Sequence, residues 1–366
     1  MSDATAPGQP PVDPIPAELQ AAVSTTLDEF IDRQADSLAA LGADLTPLIS
    51  AARQATSGGK RLRPAFAYWG WRASGGSATK TQPITTAAAA IELVHASALL
   101  HDDVIDDSAT RRGKPSAHHE FAALRRVVTG EGESRRFGRS AAILLGDLLL
   151  SWSDELLAES GFKPKALTQG RFYFDRLRTE VVAGQYLDVL GQTTSRSSAA
   201  DAMRVVRYKS AKYTVERPLQ MGAALAQADP TLLAALSSYG VPLGEAFQLR
   251  DDVLGVFGEP TVTGKPAGDD IREGKRTLLV ARANDLATED QSAVLKAYFG
   301  NPGVGTDGIE AVQDVMRASG ALDAVETVIA ELTAAGLSAL SHAKVADEES
   351  RAALQALSEL ATNRQH

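Results

Sequence analysis

The chain of 366 residues contains no cysteine, few aromatic residues and no long uninterrupted run of apolar residues. The absence of cysteine excludes disulfides, thiolate metal sites, iron–sulfur clusters and a cysteine nucleophile. Any bound metal must therefore be held by oxygen or imidazole ligands. The most apolar stretches, Ala87 to Leu100 and Ala141 to Trp152, are interrupted by charged or imidazole side chains. We therefore predict no integral membrane segment.

Positive charge is the scarcer sign, since 37 Lys and Arg against 46 Asp and Glu give a formal net charge of −9. This balance disfavours nonspecific attraction to nucleic acid, and we expect no nucleic-acid partner. The N-terminal stretch is rich in proline and lacks the basic and apolar regions of a signal peptide, so residues 1–16 are predicted to be a disordered tail. A cytoplasmic location is the expectation.

Helical patterning dominates the rest of the chain, which predicts an all-α fold. From Ala17 to Leu41, for example, apolar residues recur at three- and four-residue steps. Further helices are predicted at about 46–55, 64–73, 83–107, 137–159, 169–191, 198–228, 230–257, 276–288, 290–298, 308–319 and 322–360, the last with a break. The intervening glycine- and proline-rich clusters, among them 129–138 and 258–275, are predicted loops. None is long and featureless enough to separate two cores, so residues 17–366 are predicted to form a single helical domain.

Two groups of carboxylates each follow an apolar helical stretch. Asp102, Asp103 and Asp106 form the first group, in which Asp102 and Asp106 share one helix face. Asp251 and Asp252 form the second. Like charges so placed repel, and oxygen ligands on two facing helices suit Mg²⁺, which bridges carboxylates to substrate phosphates. Two unrelated, solvated acidic helix ends are the alternative.

A basic, glycine-containing segment is suited to phosphate. In SGGKRLRP at 57–64, two glycines permit close backbone approach while Lys60 and Arg63 can bind phosphate oxygens. The segment lacks the P-loop spacing and no strand precedes it, which argues against an ATPase or GTPase. A solvated basic loop is the alternative. Arg111 and Arg112 follow the first acidic group by a few residues, and Lys209, Lys265 and Lys275 add further positive charge.

Taken together, these segments resemble the trans-isoprenyl diphosphate synthases of the polyprenyl synthetase family. The matching motifs are GGKRLRP at 58–64, DDVID at 102–106, RRG at 111–113, KS at 209–210, FQLRDD at 247–252 and GKPAGDDIREGKRTL at 264–278. The resemblance implies a large helical bundle of the isoprenoid synthase type with a central active-site cavity. It also implies two to three Mg²⁺ ions, isopentenyl diphosphate and allylic prenyl diphosphates as ligands, and a homodimer.

The resemblance further implies roles for individual residues. The metal ligands would be Asp102, Asp103, Asp106, Asp251 and Asp252. Residues that bind isopentenyl diphosphate would be Lys60, Arg63, His95 and Arg112. Residues that contact the allylic diphosphate would be Arg111, Lys209, Ser210, Gln248 and Lys265. The residues that carry the reaction would be Asp102, Asp103, Asp106, Arg111, Lys209 and Asp251. Two positions depart from the family pattern, because Ser210 replaces a common threonine and Gly255 replaces a final aspartate that some relatives carry.

The implied activity is Mg²⁺-dependent head-to-tail condensation to a linear all-trans prenyl diphosphate. Ser97 and Ala98 stand five and four residues before Asp102, with Val94 a turn deeper. A bulky aromatic at the first two positions shortens the product in this family, so their small side chains predict geranylgeranyl length or longer. A terpene cyclase of the same fold and a non-catalytic subunit are the alternatives. GGKRLRP argues against the cyclase, and the intact acidic groups argue against the subunit.

Overall fold

The computed structural model describes residues 12–193, 198–258 and 268–362. Helices account for most of this part of the chain. In order they are α1 Ala17–Ala39, α2 Thr46–Thr56, α3 Leu62–Ala73, α4 Gln82–Ile105, α5 Ala117–Thr129, α6 Glu131–Ala158, α7 Pro164–Gln192, α8 Ala199–Val205, α9 Arg217–Leu225, α10 Pro230–Phe257, α11 Asp269–Glu273, α12 Leu278–Leu286, α13 Glu289–Tyr298, α14 Thr306–Ala318, α15 Ala321–His342 and α16 Glu348–Thr362. The predicted all-α class is confirmed.

Three further elements complete the described fold. A π-helical segment, Val206–Glu216, runs without a break between α8 and α9. A short 3₁₀ helix, Ala43–Leu45, precedes α2. Between α4 and α5 a small antiparallel hairpin pairs Thr110–Arg111 with Lys114–Pro115. Arg112 and Gly113 form its turn, both with positive φ, which is the geometry of a two-residue hairpin connection.

Helix α4 lies at the centre of the bundle and is buried on all sides over Ala87–Ala90. It packs against α1, α3 and α6, and its uniformly apolar middle follows from that position. The buried apolar residues form two clusters that share α10: one around α4, and one around α12, α14 and α15. Both acidic groups therefore stand at the ends of well-packed core helices.

Several predicted boundaries are confirmed, including the start of α1 and both ends of α10. The predicted loop at 129–138 is wrong, because α6 begins at Glu131, and α5 was not predicted at all. Gly138 explains part of this error, since a Cβ there would lie 2.1 Å from the His118 carbonyl oxygen. That glycine permits close packing of α5 on α6 instead of a turn. The helix predicted at 198–228 is interrupted by the π-helical segment.

The described end of the predicted tail contacts the bundle. Ile15 is buried, and the Trp69 indole donates a 2.8 Å hydrogen bond to the Pro14 carbonyl. Residues 1–11 lie outside the described part of the chain.

Two helices, α4 and α15, are long and apolar enough by length and composition to cross a membrane. The most apolar window of α4 is 78% buried inside the protein and that of α15 is 22% buried. This test is weak evidence for a span, because the core helix of a globular protein passes it too.

Candidate active site

A cavity of about 1020 Å³ opens between α3, α4, α7, the π-helical segment and α10. Its wall contains many of the residues singled out in the sequence: Lys60, Arg63, His95, Ala98, Asp102, Arg112, Lys209, Ser210, Gln248 and Asp251. Segments far apart in the sequence are thus brought to one place.

Other predicted residues lie behind this wall or outside it. Asp103 and Arg111 line a smaller neighbouring pocket of about 260 Å³. Four more are absent from the described lining of the large cavity: Asp106, Asp252, Ser97 and Val94. Lys265 lies outside the described residues.

The first acidic group ends α4 and is surrounded by cations. Asp102 accepts hydrogen bonds from the Gln185 amide at 2.8 Å and from Lys209 Nζ at 3.3 Å. Lys209 is shared, since its Nζ also lies 2.7 Å from Asp188. Burial alone would raise the pKa of Asp102, but the charges of Lys209 and Arg111 outweigh it and lower that pKa. Asp102 is therefore ionised in the folded protein at neutral pH.

The other two carboxylates of this group have different surroundings. Asp103 is 3% exposed and accepts hydrogen bonds from Arg111 through both Nε, at 3.0 Å, and Nη2. That pair fixes the guanidinium of Arg111 beside Asp102. Asp106 caps the C-terminal end of α4, where burial and the charge of Asp102 raise its pKa to about 6. A cation placed between Asp102 and Asp106 would relieve this repulsion.

The second acidic group ends α10 on the facing side. Asp251 lines the cavity, whereas Asp252 is 6% exposed and accepts a 2.8 Å hydrogen bond from the Gln248 amide. Burial and the nearby charge of Asp270 raise the pKa of Asp252 to about 7. Asp252 and Asp270 are therefore two carboxylates whose charges repel each other within the described part of this group.

Asp270 belongs to a matching motif but was not among the predicted site residues. Its carboxylate fills the space beside Gly255, where an added Cβ would lie 2.0 Å from Oδ2. Gly255 is the position at which some relatives carry an aspartate, so Asp270 supplies a carboxylate at the place that the sequence leaves empty. Lys275 Nζ lies 3.2 Å from Asp270, whose charge raises the pKa of this lysine. Only the folded structure brings Asp270 and Gly255 together.

The basic segment before α3 lines the cavity, but its cations differ in whether a protein carboxylate neutralises them. Arg61 is buried, adopts a positive φ, and pairs with Glu92 at 2.6 Å. The charge of Arg61 is therefore neutralised by Glu92 within the protein. Lys60 is exposed and lines the cavity. Arg112, in the turn of the hairpin, also lines the cavity, and its guanidinium donates a 2.8 Å hydrogen bond to the Ser57 carbonyl.

Arg63 completes this basic side of the cavity. Its guanidinium lies 4.5 Å from the centre of the Tyr213 ring and donates to the Thr214 hydroxyl at 3.1 Å. The Nε atom of Arg63 is buried and has no hydrogen-bond partner within the described residues. An anion in the cavity would satisfy this donor.

His95 lies beside these cations and is neutral. Its Nδ1 is 2.9 Å from the Tyr213 hydroxyl. Burial, together with the charges of Arg63 and Arg112, lowers the pKa of His95 well below its usual value. An uncharged imidazole can still form a hydrogen bond with a ligand, but at neutral pH it does not carry a second proton that it could give up.

Below the charged groups the cavity is apolar. Ala98 is on its wall, together with Ile143, Val181, Val182, Tyr186 and Val189. Ser97 and Val94 are each 2% exposed and packed behind it, so their proposed influence on product length stays a prediction. The cavity thus combines two carboxylate groups, a separate basic region and an apolar lower wall.

Comparison with known proteins was made for sequence and for structure. The family model for polyprenyl synthetase matches residues 46–316. Geranylfarnesyl diphosphate synthase of Aeropyrum pernix is 32% identical, across 82% of this chain and 89% of that protein. Geranylgeranyl diphosphate synthase of Mycobacterium tuberculosis is also 32% identical, across 79% of this chain and 77% of that protein.

Among solved structures, geranylgeranyl pyrophosphate synthase of Corynebacterium glutamicum, complexed with isoprenyl diphosphate and magnesium, superimposes with a TM-score of 0.91. It is 40% identical and the match covers 95% of this chain and 99% of that one. The structure from Pyrococcus horikoshii of a geranylgeranyl pyrophosphate synthetase gives a TM-score of 0.79 at 27% identity, covering 95% and 97% of the two chains. The predicted bundle architecture is confirmed by these matches.

Proposed function

Because the chain belongs to the polyprenyl synthetase family and is a trans-isoprenyl diphosphate synthase, we propose that it condenses isopentenyl diphosphate with an allylic diphosphate in a Mg²⁺-dependent reaction. The proposed product is a linear all-trans prenyl diphosphate of geranylgeranyl length or longer. One observation carries the proposal: a single cavity has a carboxylate region and a separate basic region. Two diphosphates need two such regions, whereas a cyclase needs only one.

The residues present fit Mg²⁺. The ligand atoms on offer are carboxylate oxygens, which Mg²⁺ prefers. Burial and a neighbouring carboxylate raise the pKa of Asp106 and of Asp252, and a bound cation would offset that repulsion. Asp102, Asp106, Asp251 and Asp252 would hold the ions, and Asp103 would contribute mainly by fixing Arg111. When bound, Mg²⁺ neutralises diphosphate oxygens and helps the diphosphate to leave.

In the proposed first step, the allylic carbon–oxygen bond breaks and the diphosphate departs with the electron pair. Arg111 and Lys209 stand beside Asp102, where their charges stabilise the departing anion. The allylic cation is left in the apolar part of the cavity, whose lining excludes water that would otherwise capture it. No nucleophilic side chain is required.

In the second step, isopentenyl diphosphate is bound by Lys60, Arg63 and Arg112. The electron pair of its terminal double bond forms the new carbon–carbon bond to the allylic cation and leaves a tertiary cation on the methyl-bearing carbon. A proton then leaves the neighbouring CH2 group, and the electron pair of that C–H bond forms the new double bond. The released diphosphate is the proposed acceptor of that proton. Because His95 is neutral and already contacts Tyr213, its proposed role is to orient isopentenyl diphosphate by hydrogen bonding.

The proposal is tested with purified protein, Mg²⁺, isopentenyl diphosphate and dimethylallyl, geranyl or farnesyl diphosphate as primer. We expect a linear prenyl diphosphate in mass spectra and no turnover when chelator removes Mg²⁺. A cyclic hydrocarbon formed without isopentenyl diphosphate would indicate a cyclase. Lack of product with every primer would contradict the proposed activity and favour a non-catalytic subunit.

Product length is the finer part of the proposal, and it depends on Ala98, whose small side chain lies on the cavity wall. Ala98→Phe is expected to shorten the main product by at least one isoprene unit. Ser97→Phe serves as the paired variant, because Ser97 packs behind the wall and a ring there also overpacks the core, at about 1–3 kcal/mol. An unchanged product distribution in both variants would contradict the proposed length control.

A homodimer in the cytoplasm is also proposed. The surface of α5 and α6 exposes several large apolar side chains: Leu124, Val127, Val128, Phe137, Ile143 and Leu144. A second copy of the chain would remove this surface from water. Light scattering on the purified protein is expected to give twice the mass of the chain, and Leu144→Glu is expected to reduce it toward that of one chain.

A further inference from the structure

Three side chains of ligand type meet outside the active-site cavity. Asp107 directly follows the first acidic group, and His118 and His119 lie in the first turn of α5. One ligand atom from each lies within 4.8 Å of the other two. None of the three lines the described wall of the large cavity, and the condensation reaction uses none of them.

The hydrogen bonds of Ser116 determine the tautomer of His118. The Ser116 hydroxyl lies 2.6 Å from the Ser108 carbonyl, which can only accept, so the hydroxyl donates there. His118 Nδ1 is 3.2 Å from the same hydroxyl oxygen. Because that hydroxyl hydrogen is already used, Nδ1 must carry a proton and donate it. The neutral ring then has its lone pair on Nε2, and donation from the other ring nitrogen is what orients metal-binding histidines.

The Nε2 lone pair of His118 is buried and faces a carboxylate. His118 is 4% exposed, and Nε2 has no hydrogen-bond partner among the described residues. Asp107 Oδ1 lies 3.7 Å from it. A lone pair and a carboxylate repel each other unless a proton or a metal ion stands between them. Burial and the neighbouring His119 lower the pKa of His118, which disfavours the proton.

We propose that Asp107, His118 and His119 form a binding site for a divalent transition-metal ion such as Zn²⁺. Two imidazoles and one carboxylate are a donor set typical of Zn²⁺ and unlike the all-oxygen set proposed for Mg²⁺. Metal–ligand bonds of about 2.0–2.2 Å require the ligand atoms to move closer than 4.8 Å. The Asp107 side chain is 63% exposed, so it has room to make that movement.

Arg139 competes with this ion, since its guanidinium donates to Asp107 Oδ1 at 2.9 Å. Binding therefore displaces or shares that contact. The ion would link Asp107 to α5 and so hold the two ends of the segment 107–118 together. This segment contains the hairpin with Arg111 and Arg112. The site would thereby restrain two arginines that line the neighbouring pockets.

The test is a titration of the full, untagged protein with Co²⁺ or Zn²⁺ in excess Mg²⁺, which occupies the oxygen-ligand sites. We expect one equivalent with the visible spectrum of nitrogen-ligated Co²⁺. His119→Gln and Asp107→Asn should each weaken that binding by about tenfold or more, whereas Arg139→Gln should tighten it. His342→Gln, an exposed histidine on α15, is the matched control and should leave binding unchanged.

Hydrogen exchange gives a second readout. With Zn²⁺ bound, the amides of residues 108–116 should exchange more slowly in the native protein and not in His119→Gln. The proposal is overturned if neither metal binds, or if Asp107→Asn and His119→Gln bind the ion as tightly as the native protein. These outcomes are independent of prenyltransferase activity, because neither readout involves a prenyl diphosphate.

Discussion

The two acidic groups look alike in sequence but differ in electrostatics. Each begins with two adjacent aspartates at the end of a core helix. In the first group the pKa of Asp102 is lowered by Lys209 and Arg111, although burial opposes them. In the second group the pKa of Asp252 is raised to about 7 by burial and by Asp270. The same residue type is thus ionised in one group and half-protonated in the other at neutral pH.

Burial and the positions of the described cations both contribute to this difference. Lys209 and Arg111 lie directly against the first group, while Lys275, a cation near the second group, is engaged by Asp270. The first group is therefore prepared for a ligand before any metal arrives. The second group must lose a proton when it binds one, so its affinity for a cation depends on pH.

The largest expected effect is on the condensation rate. Asp102→Asn removes the carboxylate that aligns Lys209 and faces Arg111, so kcat/KM should fall by about 10³-fold. Asp251→Asn should cost about 10²-fold, since it removes one carboxylate from the cavity wall. Steady-state kinetics with isopentenyl and geranyl diphosphate would measure both.

Asp314→Asn is the control for this pair, because Asp314 is an exposed aspartate on α14 that forms a surface ion pair with Arg317. It should retain native activity. A loss below tenfold for Asp102→Asn, or a larger loss for Asp251→Asn, would reverse the proposed ranking of the two groups.

The next effect is on stability. The carboxyl of Asp252 binds its proton more tightly in the folded protein, at a pKa of about 7, than at its ordinary value of 3.8. The stability contributed by the protonated form is therefore complete below about pH 4 and is lost as the pH rises to about 7. Above that pH the buried charge destabilises the metal-free protein by roughly 2–4 kcal/mol.

Asp252→Asn should remove this penalty. In metal-free buffer at pH 8 we expect the variant to be more stable than the native protein, and at pH 4.5 nearly equal to it. Urea unfolding at the two pH values would measure the difference. Asp102→Asn is the comparison variant and should be destabilised at pH 8, because Lys209 and Arg111 each lose one of the two carboxylates beside them. Equal stability of Asp252→Asn and native protein at pH 8 would show that Lys275 already compensates this charge.

Much of the fold follows from local pattern. Helix α10 was predicted with its observed ends, because proline at its start and glycine after its end mark them. The start of α6 was missed because its glycines indicated a loop, whereas Gly138 serves a tertiary contact. Local sequence carries no record of which helix will lie against a glycine.

The site residues also divide into those that the sequence predicts and those whose roles depend on tertiary contacts. Family motifs named residues that the fold collects around one cavity, such as Lys60, Arg63 and Asp251. The motifs did not reveal that Arg61, in the same basic segment, forms a buried ion pair with Glu92. The motifs also gave Asp270 no role. Asp270 is on α11 and Gly255 is on α10, and only the packing of these two helices brings them together. These distinctions depend on three-dimensional neighbours.

The smallest expected effect comes from two glutamines that each donate to one of these aspartates. Gln185 donates to Asp102 and Gln248 donates to Asp252, both at 2.8 Å. Gln248→Leu removes the hydrogen bond that opposes protonation of Asp252, so the Mg²⁺ concentration for half-maximal activity at pH 7 should rise about tenfold. Gln185→Leu should raise it only about two- to threefold, because Lys209 and Arg111 still hold Asp102 ionised.

The pH dependence separates the two variants. Raising the pH to 8.5 deprotonates Asp252 without help from Gln248, so most of the defect in Gln248→Leu should disappear. The small defect in Gln185→Leu should not change, since Asp102 is ionised at both pH values. Mg²⁺ titrations of activity at pH 7 and 8.5 would measure this. If the two variants responded to pH alike, the difference between the acidic groups would not arise from their proton affinity, and the metal-binding role proposed for Asp252 would lose its support.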